Sequence, residues 1–220
     1  MKLIKFIILF FIISLSLSGF AHKKASYNII IDTDCGIDDF RMLNVFLASK
    51  DFNINAIVTS DGVLSPEQGA ERLKAMLNFF NHEGIPVGKG ISLEKDFIHR
   101  DIVKNANWNK LSGNSGDNYN KNAIEVLHES LQAGKNIIIA SSVLTNIAQL
   151  LKKYPADSLM IEKIIWAENP AKPGMNYNRD SISAKYVINN FSNIDLVYHG
   201  KGLKFLSNDF FKYLQSFENK

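Results

Sequence analysis

Short apolar runs alternate with longer segments of helical period along most of the chain, and this alternation predicts strands and helices in turn. In the runs at 28–31 and 136–139 the apolar positions are nearly continuous, which is typical of strands buried on both faces of a parallel sheet. Strands that alternate with helices favour such a sheet, covered by helices on both faces and joined by right-handed crossovers. The pattern therefore predicts an α/β fold with an open, mainly parallel sheet.

Two segments, 88–119 and 168–180, lack a regular pattern and are rich in Gly, Asn, Asp or Pro. Long irregular loops in a regular domain are often functional, and open parallel sheets bind ligands beyond the carboxyl ends of their strands. The predicted strands are 27–32, 54–60, 136–141, 161–167 and 194–198, and the predicted helices are 38–49, 66–81, 121–133, 145–154, 181–190 and 207–217. Four aromatic residues are predicted to form the inner face of the last helix: Phe210, Phe211, Tyr213 and Phe217.

The first 21 residues have the pattern of a cleaved secretory signal peptide. Lys2 and Lys5 precede an apolar run over 6–17, and small residues occupy the −3 and −1 positions of a cut after Ala21. An uncleaved membrane anchor is the alternative, because the apolar run approaches the shortest spanning length. We expect residues 1–21 to be removed and residues 22–220 to form one exported domain, periplasmic or secreted, without stable membrane association.

Composition narrows the classes of partner. The chain is 46% hydrophobic and 21% charged, as in ordinary globular proteins. Without Lys2 and Lys5, 23 of the 25 basic residues remain against 22 acidic ones, so the mature chain has no electrostatic footprint for nucleic acid. Cys35 is the only cysteine, so no intramolecular disulfide stabilises the fold.

Four carboxylates lie within residues 32–39, directly after the first predicted strand and before the first helix. They repel one another unless a cation lies among them, and oxygen ligands favour Ca²⁺ or Mg²⁺ over zinc. We expect Gly36 to allow the sharp turn between strand and helix. In a purely structural alternative, Asp38 and Asp39 cap the helix and Asp32 accepts backbone amides. Capping explains two of the acids but not all four.

The segment 32–39 resembles the Asp-x-Asp-Pro-Gly-x-Asp-Asp signature of the calcium-dependent, inosine-uridine preferring nucleoside hydrolases, with Cys35 at the proline position. Further similar segments follow in the family's order: 57–60 resembles its second strand, 84–87 its Gly-Ile-Pro-Val step, and 141–148 its Leu-Thr-Asn turn. The resemblance implies a Rossmann-like fold and an enzyme that cleaves ribonucleosides to free base and ribose.

The resemblance also implies roles for individual residues. In the family, the second acid of the signature binds calcium and activates water, the third binds ribose hydroxyls and the fourth binds calcium; these positions are Asp34, Asp38 and Asp39 here. The family's metal-binding backbone carbonyl corresponds to Ser141, and a sugar-contacting Asn corresponds to Asn178. Asp34 would then accept the proton of the attacking water.

Three features depart from the family pattern. Full-length members continue beyond the equivalent of Tyr198 with a His-Asp pair whose Asp completes the calcium ligands, and no histidine here is followed by Asp. His99 is the best candidate for contact with the leaving base, and Asp117 or Asp180 for the missing metal ligand. The family's Asn after the second strand corresponds to about Val63, and Cys35 replaces the signature proline.

Two alternatives remain open at this stage. One is a non-catalytic relative that binds calcium and a ribosyl or other sugar ligand. The other is a haloacid dehalogenase-like phosphatase, since Asp32, Asp34 and a serine at 141 or 142 resemble its first two motifs, although Cys35 interrupts the first and Asp38 and Asp39 go unexplained. In each reading the ligand is a small molecule. Base preference and assembly into a homo-oligomer are not set by the sequence.

Overall fold

Six parallel strands form one sheet at the centre of the fold. The structure, a computed structural model, describes residues 25–95, 100–104, 121–169 and 172–198. The described strands are β1 (Tyr27–Thr33), β2 (Phe52–Thr59), β3 (Val87–Lys89), β4 (Asn136–Ala140), β5 (Ile161–Ala167) and β6 (Ile194–Val197). Their order in the sheet is β3-β2-β1-β4-β5-β6, and every neighbouring pair is parallel. This arrangement confirms the predicted open α/β fold.

The strand order reverses direction at β1, which lies between β2 and β4. In register, Asp32 of β1 is opposite Val58 of β2 on one side and Ala140 of β4 on the other. Doubly wound sheets bind ligands in the crevice where the strand order reverses, outside the carboxyl ends of the strands. The segment 32–39 and the turn after β4 therefore begin at the position where this fold class places its ligand.

Helices cover both faces of the sheet, and successive residues of β1 explain why. Ile30 is buried in one hydrophobic cluster, and Ile29 and Ile31 are buried in the other, as the alternation of side chains along a strand requires. The helices are α1 (Ile37–Ala48), α2 (Pro66–Phe79), α3 (Arg100–Lys104), α4 (Ala123–Gln132), α5 (Thr145–Lys153), α6 (Met175–Arg179) and α7 (Ser181–Asn190), with a 3₁₀ helix at Pro155–Met160. Residues of α1 and α2 pack in the second cluster, and residues of α4, α5 and α7 in the first.

The predicted boundaries agree with the observed ones to within a few residues, and those of β5 and α7 coincide. Helix α2 begins where a capping box predicts a start: Ser65 Oγ accepts from the Gln68 N–H, Gln68 Oε1 accepts from the Ser65 N–H, and Pro66 follows. The segments predicted as irregular contain short elements, α3 and most of β3 in 88–119 and α6 in 168–180. Three to five residues are too few to show a hydrophobic period.

Some predictions fall on residues outside the described ranges. These are the signal peptide at 1–21, the helix at 207–217 with its four aromatic residues, His99, and Asp117. Within the described ranges, none of the helices is both long and apolar enough to cross a bilayer.

Candidate functional site

A cavity of about 590 Å³ opens at the carboxyl ends of the central strands. Its lining comes from the segments that follow β1, β2, β4 and β5, from helix α6 and from the end of β6, and it contains both polar and apolar residues. The polar lining residues are Asp34, Asp38, Asp39, Ser141, Glu168, Asn169 and Asn176, and the apolar ones are Val63, Ala167, Met175, Val197 and Tyr198. A cavity of this size suits a drug-sized or nucleoside-sized ligand.

Asp34 and Asp39 are two buried carboxylates in contact with each other. Each residue is only 5% exposed, and the two side chains are hydrogen-bonded. Burial, followed by the charge of Asp39, raises the pKa of Asp34 well above its usual range. Burial also raises the pKa of Asp39, although the Thr33 hydroxyl donates to it at 2.6 Å. Two desolvated carboxylates in contact must share a proton or a cation.

The atoms around this pair fit a hard divalent cation. The side-chain polar atoms that Asp34, Asp39 and Ser141 bring to the cavity are oxygens, and the Ser141 backbone carbonyl accepts from Asn176 Nδ2 at 3.2 Å. Ca²⁺ accepts carboxylate and carbonyl oxygens in irregular arrangements. Within the described ranges, no cluster of three or more His, Cys, Asp or Glu side chains has the geometry of a metal site. Among the described residues, Asp34 and Asp39 are the buried carboxylates of this cavity that could hold a cation.

The turn that presents these carboxylates depends on Cys35 rather than on Gly36. Gly36 has φ −64° and ψ 167°, which any residue adopts. Cys35 has φ 60°, in the left-handed region, so the prediction that Gly36 makes the sharp turn is wrong. A Cβ at position 36 would lie 2.6 Å from Asp38 Oδ1, so the exposed Asp38 side chain would have to move. Asp38 and Asp39 lie in the first turn of α1, as predicted.

Asp32 is separated from the other three acids of the segment. It is fully buried, does not line the cavity, and accepts hydrogen bonds from Ser60 Oγ at 2.6 Å, Ser142 Oγ at 3.3 Å and Asn146 Nδ2 at 3.3 Å. Burial, only partly offset by these donors, raises the pKa of Asp32 to about 7. Asp32 therefore ties β1 to the segments after β2 and β4. The phosphatase alternative needs Asp32 at the ligand, which this position contradicts.

Asn178, predicted to contact the sugar, is not brought to the cavity. Its side chain is exposed and Nδ2 donates to the Pro173 carbonyl at 3.1 Å. Asn176 lines the cavity instead and also donates to the Ala167 carbonyl at 3.0 Å. Residues two apart on a helix point in nearly opposite directions, so only one of the two asparagines of α6 can face the site.

Glu168 is a cavity residue that the sequence reasoning missed. Its Oε1 accepts the N–H groups of Asn169 and Gly174 at 2.8 and 2.7 Å, and its Oε2 accepts that of Tyr177 at 2.7 Å. A carboxylate that accepts three backbone N–H groups organises the loop 168–177 around itself. The only local signal is an acid directly after a buried strand.

Asp180, one of two candidates for the missing metal ligand, has another task. It does not line the cavity; Oδ2 accepts from Thr145 Oγ1 and Oδ1 accepts from the Ser183 N–H at 3.1 Å, which caps α7. Burial alone would raise the pKa of Asp180, but these hydrogen bonds outweigh it and hold the pKa below its usual value. The described structure therefore does not place Asp180 at the cavity.

Known proteins resemble this chain in sequence and in fold. The profile of the family described as inosine-uridine preferring nucleoside hydrolase matches residues 29–168. A pyrimidine-specific ribonucleoside hydrolase, RihA of Escherichia coli O7:K1, is 28% identical over 147 residues, which are 62% of this chain and 46% of RihA. The chain thus spans about half the length of the curated relatives it matches.

Solved structures share the fold. A plant nucleoside hydrolase, PpNRh1, superposes with a TM-score of 0.67 at 22% identity, covering 79% of this chain and 60% of that one. The inosine-uridine preferring nucleoside hydrolase from Bacillus anthracis gives a TM-score of 0.68 at 17% identity, covering 88% and 71%. The family profile matches well over half of the chain and includes the segment 32–39, so this protein belongs to the inosine-uridine preferring nucleoside hydrolase family.

Proposed function

We propose that this chain is a nucleoside N-ribohydrolase that cleaves the N-glycosidic bond of ribonucleosides to free base and ribose, with calcium as its cofactor. The observation that carries the proposal is the contact between the buried carboxylates of Asp34 and Asp39 at the wall of a nucleoside-sized cavity. Family membership supports the same reaction class.

The cation would be held by Asp34, Asp39 and the Ser141 carbonyl, since all three residues line the cavity. When bound, calcium would replace the shared proton of the two carboxylates and make a coordinated water more acidic. Thr33 keeps Asp39 oriented, because its hydroxyl donates to Asp39 Oδ2. The backbone N–H of Val63 does the same for Asp34 at 3.0 Å.

The chain's own acids divide the remaining work. Asp34 would accept the proton of the attacking water, a task that contributes about 10²- to 10⁴-fold in enzymes that use general bases. Asp38 is exposed at the start of α1 and lines the cavity, so its carboxylate is available to ribose hydroxyls. Hydrogen bonds there would orient the anomeric carbon toward the water.

The apolar part of the lining suits the base. Val63, Met175, Val197 and Tyr198 are apolar residues of the cavity lining. Glu168 also lines the cavity, but its carboxylate accepts three backbone N–H groups, so we give it a structural role. Nucleobases are flat and largely apolar on their faces, and aromatic or aliphatic walls bind them by contact and stacking.

Release of reducing sugar from inosine, uridine and adenosine tests the proposal. The mature protein is assayed with calcium, with a chelator, and as Asp34→Asn. Asp195→Asn is the matched control, because Asp195 is an exposed acid of β6 that pairs with Lys163. We expect calcium-dependent release, a loss of about 10²-fold or more in Asp34→Asn, and no loss in Asp195→Asn.

Other results would contradict the hydrolase. Tight calcium binding without release from any nucleoside would favour the non-catalytic, ribosyl-binding alternative. Release that persists in the chelator or in Asp34→Asn would remove the cation and Asp34 from the mechanism.

We also propose that residues 1–21 are removed on export and that the mature chain begins at His22. The support is the charge and apolar pattern of the segment. N-terminal sequencing of the protein recovered from periplasm or medium would test this, and a retained Met1 would contradict it. Whether the mature chain forms a homo-oligomer is a separate question, which light scattering on the same sample answers.

A further inference from the structure

Asp61 is a buried acid two residues beyond β2, and it is the centre of an ionic cluster that no step above uses. Its Oδ1 accepts from Arg179 Nε at 3.0 Å and from Arg100 Nη2 at 3.0 Å, and Arg179 Nη2 also contacts it. Its Oδ2 accepts from the Leu93 N–H at 3.0 Å and from Ser92 Oγ at 3.1 Å. The Asp61 side chain is fully buried, and those of Arg179 and Arg100 are only 7% and 21% exposed.

The two arginines that contact Asp61 keep its carboxylate ionised. Burial alone would raise the pKa of Asp61, but the hydrogen bonds from Arg179 and the Leu93 N–H and the charges of both arginines outweigh it, so the pKa lies below its usual value. Removing one partner of such a cluster leaves an uncompensated buried charge. The cluster therefore has a defined geometry, and a change at Asp61 is transmitted to its neighbours.

The cluster reaches the candidate site through the next two residues. Arg100 Nη2 donates to the Gly62 carbonyl at 2.8 Å, and the following N–H, that of Val63, donates to Asp34 Oδ2 at 3.0 Å. A Cβ at Gly62 would lie 2.0 Å from Asp34 Oδ2. The Asp34 side chain thus packs against Gly62 and accepts a hydrogen bond from the Val63 N–H.

The cluster also joins two segments that line the cavity. Arg179 ends α6, the helix that contributes Met175 and Asn176 to the lining, and the segment 61–63 contributes Val63. Arg179 Nη2 donates to the Lys95 carbonyl at 2.6 Å, and Lys95 Nζ donates to the Arg179 carbonyl. Asp61 and its two arginines therefore link three segments next to the site: 61–63, 92–95 and 175–179.

We propose that Asp61 is a positioning residue, which through Arg179 and Arg100 fixes the segment 61–63 and so the orientation of Asp34 toward the cavity. For its effect on turnover the inference rests on the proposed function, whereas its effect on cation binding does not. Residues that orient metal ligands through hydrogen bonds typically change metal affinity about 10- to 100-fold when mutated. Misplacement of a catalytic group by about 1 Å costs about 10²-fold in rate.

Asp61→Asn is the informative variant, because it keeps the size of the side chain and removes its charge. Asp157→Asn is the matched control, because Asp157 is also buried and hydrogen-bonded. Its carboxylate forms a hydrogen bond with His128 Nδ1 at 2.8 Å and accepts from Gln132 Nε2 at 3.1 Å. Asp157 lies in the 3₁₀ helix that precedes β5, and so near the amino ends of the strands, whereas the cavity lies at their carboxyl ends. A loss caused only by lower stability would appear in both variants.

Calcium affinity by calorimetry and kcat and KM for the best nucleoside are measured at a temperature where each variant is folded. The thermal unfolding midpoint of each variant is measured separately. We expect Asp61→Asn to bind calcium about 10- to 100-fold more weakly and to lower kcat by about 10²-fold with little change in KM. Asp157→Asn should match the wild type in calcium affinity and kcat, even where its unfolding midpoint falls.

Equal calcium affinity in Asp61→Asn and wild type, or an equal loss in Asp157→Asn, would overturn the inference. A wild-type chain that binds calcium but releases no ribose would contradict only the proposed function, since the affinity comparison still decides the role of Asp61. A wild-type chain that binds no calcium would overturn both.

If Asp61→Asn does not fold, Arg179→Lys serves instead, because it keeps the charge and loses the planar fork of donors. We expect its calcium affinity to fall as well, but by less than in Asp61→Asn. Wild-type calcium affinity in Arg179→Lys would again overturn the inference.

Discussion

Thr33 and Asp39 are joined by a 2.6 Å hydrogen bond in which Thr33 Oγ1 donates to Asp39 Oδ2. The same hydroxyl accepts the Cys35 N–H at 2.9 Å. Because one lone pair of the hydroxyl is engaged by the backbone, its hydrogen is directed at Asp39. The last residue of β1 thus orients a carboxylate six residues further along, across the turn and into the first turn of α1.

Replacement of Thr33 by Val tests this relationship, since Val has nearly the same shape and no hydroxyl. We expect calcium affinity to fall about 10- to 100-fold, because Asp39 loses the donor that orients it. The free energy of unfolding should fall by about 1–3 kcal/mol, the usual range for a buried group left without its partner. Calorimetric titration of calcium measures the first effect and urea unfolding the second. Thr33→Ser keeps the hydroxyl and should retain near wild-type affinity; a similar loss in both variants would contradict the assigned role of the hydrogen bond.

Gly62→Ala should disturb the site from the other side. A Cβ at position 62 would lie 2.0 Å from Asp34 Oδ2 and 2.5 Å from Asp34 Cβ, so either Asp34 or the segment 61–63 must move. We expect loss of measurable calcium binding and of ribose release. Gly84→Ala is the control, because nothing lies within 4 Å of a Cβ there; both variants change Gly to Ala, so a shared effect would point to the unfolded state rather than to the site.

The centre of the sheet was predictable from the sequence because β1 and β4 are largely buried and read as nearly continuous apolar runs. The strand 161–167 and the helix 181–190 were predicted with the bounds that the structure has. The position of Asp34, Asp38 and Asp39 at the cavity also follows from local order, since they come directly after a central strand. These inferences use only neighbours in sequence.

Other contacts of the site could not be predicted from the sequence, because they join distant segments or depend on the exact backbone conformation. Asp61 and Arg179 are 118 residues apart, and nothing local in either segment indicates that they pair. The choice between Asn176 and Asn178 depends on the phase of a five-residue helix, which is too short to show an apolar period. The left-handed backbone of Cys35 was missed because a glycine next to it offered the simpler explanation for a turn.

Cys35→Pro restores the residue of the family signature, yet we expect it to destabilise this chain. Proline fixes φ near −65°, whereas Cys35 has φ 60°. Proline also lacks the N–H that donates to Thr33 Oγ1. Together these effects should lower the free energy of unfolding by about 3 kcal/mol, measured by urea unfolding. Cys35→Ala keeps the N–H and should cost less; equal stability of the two variants would show that the loop tolerates a negative φ.

Asp180 supplies a prediction about pH. Its pKa in the folded chain is held below the usual value, because the hydrogen bonds from Thr145 and Ser183 outweigh the opposing effect of burial. An acid whose folded pKa is depressed contributes stability that is present above its unfolded pKa, about 3.9, and is lost as the pH falls through the folded value. We therefore expect Asp180→Ala to lower the free energy of unfolding by about 1 kcal/mol at neutral pH, as for other N-cap residues, and by less at pH 3. Urea unfolding at both pH values measures the difference.

Calcium affinity should stay at the wild-type value in Asp180→Ala, because Asp180 caps α7 and does not line the cavity. A large loss of affinity would instead indicate that Asp180 is a metal ligand.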